Sequence, residues 1–155
     1  MTSIIEKGVK APAFNLPTNA GGNTSLSDFA GRWLVVYFYP RDDTPGCTKE
    51  AIAFTGLAGT FSKAGADILG VSKDTPTKHD KFIAKHELGI RLASDEDGTT
   101  CEAYGVWVEK NMYGRKYMGI ERATFLIDPS GKIEHVWRKV KVPGHAEAVL
   151  ATLPG

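Results

Sequence analysis

Several features that would place a protein in a common functional class are missing from this chain. Its 155 residues contain only two cysteines, Cys47 and Cys101, so neither a disulfide scaffold nor a C-x-x-C dithiol site is present. The formal net charge of +1 gives no reason to expect nucleic acid or an anionic membrane as a partner. No apolar stretch resembles a signal peptide or a membrane span, and we therefore expect a cytoplasmic protein without membrane partners.

Patterns for metal and phosphate binding are missing as well. The segment 95–99 begins like a calcium loop, but its sixth and twelfth positions are Thr100 and Val106 instead of glycine and glutamate. His79 and His86 share a predicted helix face without a cysteine or suitably spaced carboxylate, so we interpret both as solvated surface residues. No G-x-x-x-x-G-K-[ST] sequence occurs. We expect no metal site.

Apolar strand and helix patterns do alternate along the chain. Length, 42% hydrophobic content and 24% charged content are typical of a soluble globular protein, and we expect one domain over residues 1–155. Strands are predicted at Trp33–Tyr39, Asp67–Val71, Ala123–Ile127 and Ile133–Trp137, with a short one at 92–94. Helices are predicted at Pro45 to about Lys63, Thr77–Leu88, Thr100–Tyr104 and His145–Leu153.

This order predicts an α/β protein. A parallel βαβ unit followed by an antiparallel hairpin and a last helix gives a mixed central sheet flanked by helices. A further hairpin is predicted where Phe14–Pro17 precedes a glycine turn. The arrangement is similar to a thioredoxin-like fold with an N-terminal β-hairpin extension.

The first central strand leads directly to a cysteine. Thr44 is suited to the N-cap of the next helix and Pro45 to its first position, which places Cys47 in the first turn. Unpaired N–H groups and the positive end of the helix dipole favour the reactive thiolate there. The alternative is that Cys47 is only a small buried hydrophobic residue.

Pro40-x-x-x-Thr44-x-x-Cys47 resembles the active-site motif of the peroxiredoxin family. With Phe38, Tyr39 and Glu50 included, the segment is similar to the subfamily called peroxiredoxin Q or bacterioferritin comigratory protein. The similarity covers nearly the whole chain and continues at 94–98, 104–107 and 119–128.

The resemblance implies thiol-dependent reduction of hydrogen peroxide and organic hydroperoxides, without metal, haem, flavin or any other cofactor. Cys47 matches the cysteine that becomes a sulfenic acid. Thr44 matches the hydroxyl that binds sulfur and peroxide, and Arg122 matches the arginine that favours the thiolate and stabilises the developing charge. Pro40 matches the residue that shields the pocket from water, and Glu50 matches the acid that orients arginine.

Many family members have a second cysteine, which resolves the sulfenic acid by forming a disulfide with the first. This chain lacks a cysteine at the usual positions. Many members of the subfamily place it five residues after the first, where this chain has Ile52; another subgroup places it near Phe82–Lys85, where no cysteine occurs. Cys101 is therefore either a resolving cysteine or a small buried side chain. We expect Cys101 to lie too far from Cys47 for a disulfide, and an external thiol to complete the cycle.

Some alternatives remain open at this stage. Three kinds of external thiol are candidates: a small thiol such as glutathione, a glutaredoxin, or a thioredoxin. The alternative to an enzyme is a peroxide-sensing thiol switch or a redox-regulated binding protein, in which oxidation of Cys47 signals to a partner. We expect a monomer, with a dimer as the alternative.

Overall fold

The structure is a computed structural model that describes residues 5–154. Its strands are β1 Asn15–Pro17, β2 Asn23–Ser25, β3 Trp33–Phe38, β4 Ala66–Ser72, β5 Arg91–Ser94, β6 Trp107–Met112, β7 Arg115–Ile120, β8 Ala123–Ile127 and β9 Ile133–Trp137. Its α-helices are α1 Pro45–Lys63, α2 Pro76–His86, α3 Thr99–Ala103 and α4 His145–Ala151, and a 3-10 turn covers Leu26–Phe29. None of these helices combines the length and apolar content that crossing a membrane requires.

A five-stranded mixed sheet of order β5-β4-β3-β8-β9 forms the centre of the fold. Strand β4 pairs in parallel with both β3 and β5, whereas β8 pairs antiparallel with β3 and β9. The helices α1 and α2 each connect parallel strands, as a crossover requires. The predicted α/β class with a mixed sheet flanked by helices is confirmed.

The central sheet separates two hydrophobic cores. Alternate residues of β3 face opposite sides, because side chains alternate along a strand. Val36 and Phe38 pack into one core with α3 and the N-terminal segment, whereas Val35 and Tyr37 pack into the other with α1, α2 and α4. We call these the α3 core and the α1 core.

Two small antiparallel hairpins lie outside the central sheet. The first, β1–β2, is the predicted N-terminal extension. The second, β6–β7, was not predicted as a hairpin. Its two-residue turn consists of Tyr113 and Gly114, which both have positive φ, as a tight primed turn requires. Tyrosine is uncommon at such a position, so the usual Asn-Gly or Asp-Gly signal was absent.

The interpretation of His79 as a solvated residue is wrong. His79 in α2 is fully buried, and its Nδ1 lies 2.6 Å from Asp42 Oδ2. Its Nε2 donates to the Ala93 carbonyl at 3.0 Å, and the Tyr39 hydroxyl donates to Asp42 Oδ1 at 2.6 Å. His86 is half-buried and contacts Asp43. The His79–Asp42 pair therefore joins α2 to the loop that leads from β3 to Cys47.

We predict that Asp42→Asn lowers the free energy of unfolding by about 3 kcal/mol, because it disrupts the buried hydrogen bonds of Asp42 with Tyr39 and His79. A carboxylate accepts hydrogen bonds at both oxygens, as Tyr39 and His79 require here, whereas an amide accepts at only one. Urea denaturation measures the loss. The matched control is Asp43→Asn, since Asp43 is exposed, pairs only at the surface and has a φ of 58° that asparagine tolerates. Equal losses in the two variants would contradict the prediction.

Candidate active site

Cys47 lies where the sequence predicts it, in the first turn of α1 just beyond the end of β3. The helix begins with Pro45, Gly46 and Cys47 after Thr44, whose backbone is extended. The cysteine is free and only 1% exposed. Its sulfur is therefore held near the positive end of the helix dipole and is shielded from bulk water.

Arg122 is the cation beside this sulfur. Its Nη2 donates to Cys47 Sγ at 3.3 Å, a distance that suits a sulfur acceptor. Arg122 immediately precedes β8, whose first residue, Ala123, pairs with Phe38 at the end of β3. The Arg122 carbonyl accepts a hydrogen bond from the Val140 N–H at 3.0 Å, which fixes its backbone from the other side.

Gly46 leaves the space that the guanidinium occupies. A Cβ atom at this position would lie 3.1 Å from Arg122 Nη2, closer than such contacts ordinarily come. A larger residue at position 46 would displace Arg122 or the helix start, so the glycine is part of the site geometry.

Glu50 holds the opposite side of Arg122. It lies one turn after Cys47 on α1, so the two side chains share a helix face. Arg122 Nη1 donates to Glu50 Oε1 at 2.6 Å, and Glu50 is only 1% exposed. Its Oε2 is buried without a hydrogen-bond partner among residues 5–154. Burial raises the pKa of Glu50 to about 7, against the opposing effect of Arg122.

His145 is a neighbour of the site that the sequence did not single out. Burial, with a smaller contribution from Arg122, lowers the pKa of His145 to about 4. The ring is therefore neutral at pH 7, and its Nε2 lies 2.7 Å from Thr124 Oγ1. A buried histidine that remains neutral adds no second positive charge near Arg122.

Thr44 and Pro40 lie on the open side of the site. Thr44 occupies the N-cap position of α1 as predicted, but its side chain makes no capping hydrogen bond, because its hydroxyl donates to the Arg41 carbonyl at 3.0 Å instead. Both residues line a cleft of about 550 Å³, which adjoins the site through Thr44 and which we call the active-site cleft; Cys47, Glu50 and Arg122 are not among its lining residues. Its opposite wall comes from the β6–β7 hairpin, including Trp107 and Tyr117.

Cys101 belongs to a different core from this arrangement. It lies in α3 and belongs to the α3 core, whereas Cys47 belongs to the α1 core, so the sheet lies between them. Burial, with a further contribution from Asp95, raises the pKa of the Cys101 thiol well above its usual range. The Asp95 carboxylate accepts hydrogen bonds from the Thr100 and Cys101 N–H groups at 3.1 and 2.8 Å. The first residue of the segment 95–99, which only begins like a calcium loop, therefore caps the start of α3.

Comparisons with known proteins identify the family of this chain. The AhpC/TSA family profile matches residues 7–136. The chain belongs to the AhpC/TSA family. A putative peroxiredoxin Bcp of Coxiella burnetii is 54% identical over 149 residues, which cover 96% of this chain and 99% of that protein.

Solved structures of this family superpose closely on the chain. One of them is a structure of Xanthomonas campestris bacterioferritin comigratory protein, from work on the alkyl peroxide reduction activity of that protein in trapped intermediate/ligand complexes. It has a TM-score of 0.88 at 49% identity, and the match covers 94% of this chain and 96% of that one. A PrxQ mutant of Xylella fastidiosa has a TM-score of 0.91 at 42% identity, covering 96% and 95%. The similarity to the peroxiredoxin Q subfamily is confirmed, and the protein is a thiol peroxidase of the peroxiredoxin type.

We predict that Glu50 makes the folded protein less stable as pH rises from about 4.5 to about 7. In this range the unfolded chain has lost the Glu50 proton while the folded chain keeps it, so the free energy of unfolding falls by about 3 kcal/mol. Glu50→Gln cannot titrate, and its stability curve lacks this fall. Urea denaturation across the range measures the difference from wild type.

The control for this measurement is Glu147→Gln, which changes an exposed glutamate of α4. We expect this variant to keep the wild-type pH dependence. Parallel curves for Glu50→Gln and Glu147→Gln would contradict the assignment of the titration to Glu50.

Proposed function

We propose that this protein is a one-cysteine peroxiredoxin, which reduces hydrogen peroxide and organic hydroperoxides at Cys47 and takes its reducing equivalents from an external thiol. The observation that carries the proposal is the contact between Arg122 Nη2 and Cys47 Sγ at the start of α1. A guanidinium and a helix N-terminus together favour the thiolate, which is the nucleophilic form of cysteine.

In the first step the Cys47 thiolate attacks one peroxide oxygen. The sulfur–oxygen bond forms as the oxygen–oxygen bond breaks, and the second oxygen leaves as an alkoxide or hydroxide that takes up a proton. Arg122 donates hydrogen bonds close to the place where this negative charge develops, and such fixed donors lower the barrier. Glu50 holds the guanidinium in place by binding its other terminal nitrogen.

Thr44 and Pro40 complete the proposed site from the cleft side. The Thr44 hydroxyl donates its proton to the Arg41 carbonyl and keeps its acceptor lone pairs, so a hydroperoxide O–H that enters the cleft finds an acceptor there. Pro40 has no N–H to bind water at the mouth of the cleft, which suits a residue that limits solvent access. The alkyl peroxide activity named for the Xanthomonas campestris relative supports organic hydroperoxides as substrates.

In the second step an external thiol reduces the Cys47 sulfenic acid. The family resemblance implies two positions for a resolving cysteine; this chain has Ile52 at the first, in α1, and no cysteine within Phe82–Lys85 at the second, in α2. Cys101 belongs to the α3 core, on the other side of the sheet. A disulfide needs Cα atoms within about 7 Å, and we infer that two cysteines packed into cores on opposite faces of the sheet do not meet without a rearrangement of the fold.

We predict that Cys47→Ser lowers the rate of peroxide consumption about a thousandfold or more, because serine is a far weaker nucleophile at neutral pH. The rate is measured with hydrogen peroxide and excess dithiothreitol, and circular dichroism confirms that the variant is folded. Cys101→Ser is the matched control and keeps most of the wild-type rate. Turnover by Cys47→Ser at the wild-type rate would refute the proposed nucleophile.

We further predict that one equivalent of hydrogen peroxide converts Cys47 to a sulfenic acid that persists without added thiol and is oxidised further by excess peroxide. Non-reducing mass spectrometry of the intact protein distinguishes one added oxygen from the loss of two hydrogens. A stoichiometric disulfide between Cys47 and Cys101, together with loss of activity in Cys101→Ser, would establish a two-cysteine cycle instead.

A further inference from the structure

The active-site cleft carries more positive charge than the reaction with peroxide uses. Four cationic side chains and one carboxylate line it: Arg41, Lys73, Lys78, Lys110 and Asp74. The carboxylate of Asp74 already accepts hydrogen bonds from Ser72 Oγ at 2.7 Å and from the Asp42 N–H at 2.8 Å. Hydrogen peroxide has no charge, so the excess of cations points to an anionic ligand.

Lys110 is the cation that the β6–β7 hairpin contributes to the cleft. Burial and the positive charge of Arg122 lower the pKa of Lys110, while Cys47 and Glu121 act in the opposite direction. Lys110 lines the same cleft as Thr44, which lies three residues before Cys47. Within residues 5–154 this ammonium has no ion-pair partner, and Glu121 itself is paired with Arg138 at 3.9 Å.

The β6–β7 hairpin directs the Lys110 side chain toward the cleft. Lys110 lies opposite Tyr117 and diagonally beside Gly119 on β7. A Cβ atom at Gly119 would lie 3.2 Å from Lys110 Cδ and 3.4 Å from its Cε. The glycine thus lets the methylene stem lie flat on the hairpin, so that the ammonium extends into the cleft.

We propose that Lys110 binds a carboxylate of the small thiol that reduces the Cys47 sulfenic acid. This inference rests on the proposed one-cysteine function, since only an enzyme without a resolving cysteine needs a second substrate at this sulfur. The thiol reacts as its thiolate, so a carboxylate-bearing thiol arrives with at least two negative charges. A cleft of about 550 Å³ lies within the size range of small-molecule sites.

The reaction needs two molecules of this thiol. The first thiolate attacks the Cys47 sulfur, a mixed disulfide forms, and the hydroxyl of the sulfenic acid leaves as water after taking up a proton. The second thiolate attacks the sulfur of the bound thiol, releases its symmetrical disulfide and restores the Cys47 thiolate. Peroxide and two thiols thus give an alcohol or water, one disulfide and one further water molecule.

The test compares Lys110→Met with Lys116→Met. Lys116 lies on β7 in the same hairpin, pairs with Glu109 at 3.8 Å and is exposed, and the cleft residues do not include it. Each protein is oxidised with one equivalent of hydrogen peroxide. The rate of sulfenic acid loss is then measured with glutathione, which carries carboxylates, and with 2-mercaptoethanol, which carries none.

We expect Lys110→Met to lower the ratio of the glutathione rate to the 2-mercaptoethanol rate about tenfold, while Lys116→Met leaves the ratio unchanged. Lys110→Arg, which keeps the charge, restores most of the preference. A merely structural role for Lys110 would lower both rates together and leave the ratio unmoved, and that result would overturn the proposal.

Two further outcomes separate this inference from the function on which it rests. Wild-type protein that forms a sulfenic acid but does not react with either small thiol would overturn the role of Lys110 and leave the peroxidase step intact. Wild-type protein that forms no sulfenic acid would refute the proposed function itself.

A preference for a carboxylate-bearing hydroperoxide over tert-butyl hydroperoxide, lost in Lys110→Met without a change in the thiol ratio, would assign the site to the peroxide and overturn the thiol proposal.

Discussion

The two hydrogen bonds of Arg122 determine the geometry of the active site. One terminal nitrogen reaches Cys47 Sγ at 3.3 Å and the other reaches Glu50 Oε1 at 2.6 Å. A planar guanidinium makes both contacts at once, whereas the point charge of a lysine ammonium would not reproduce this geometry. Because Arg122 precedes β8, the site depends on the pairing of β8 with β3. A slip of one residue in that register would turn the side chains of β8 to the opposite face.

The Arg122–Glu50 pair is better understood as a device for positioning than as a source of stability. Burying a carboxylate costs free energy that an ion pair recovers only in part, which agrees with the raised pKa of Glu50. The unpartnered Glu50 Oε2 adds to that cost. The protein thus keeps a locally unfavourable group where a fixed guanidinium is needed, in the same way that other active sites retain strain or buried charge.

Much of this site could be predicted from the sequence because its main elements are local. The apolar run of β3, the Thr44-Pro45 helix start and the position of Cys47 in the first turn depend on neighbouring residues alone. The burial of His79 could not be predicted in the same way. It depends on Asp42 in another element, and a histidine in a helix with few apolar residues gives no sign of such a partner. The β6–β7 hairpin was missed because a tyrosine occupies a positive-φ turn position.

The hairpin and the two cores together explain why an external thiol suits this fold. A resolving cysteine must reach Cys47 on the α1 side of the sheet, and Cys101 is packed on the α3 side. Bringing the two sulfurs together would expose core residues on at least one face, at a free-energy cost that a surface cysteine on α1 or α2 avoids. The β6–β7 hairpin, in contrast, forms a wall of the cleft that Thr44 lines, and it supplies Lys110, a cation without an ion-pair partner among residues 5–154. In the proposed cycle a small anionic thiol approaches Cys47 from this cleft while the core remains packed.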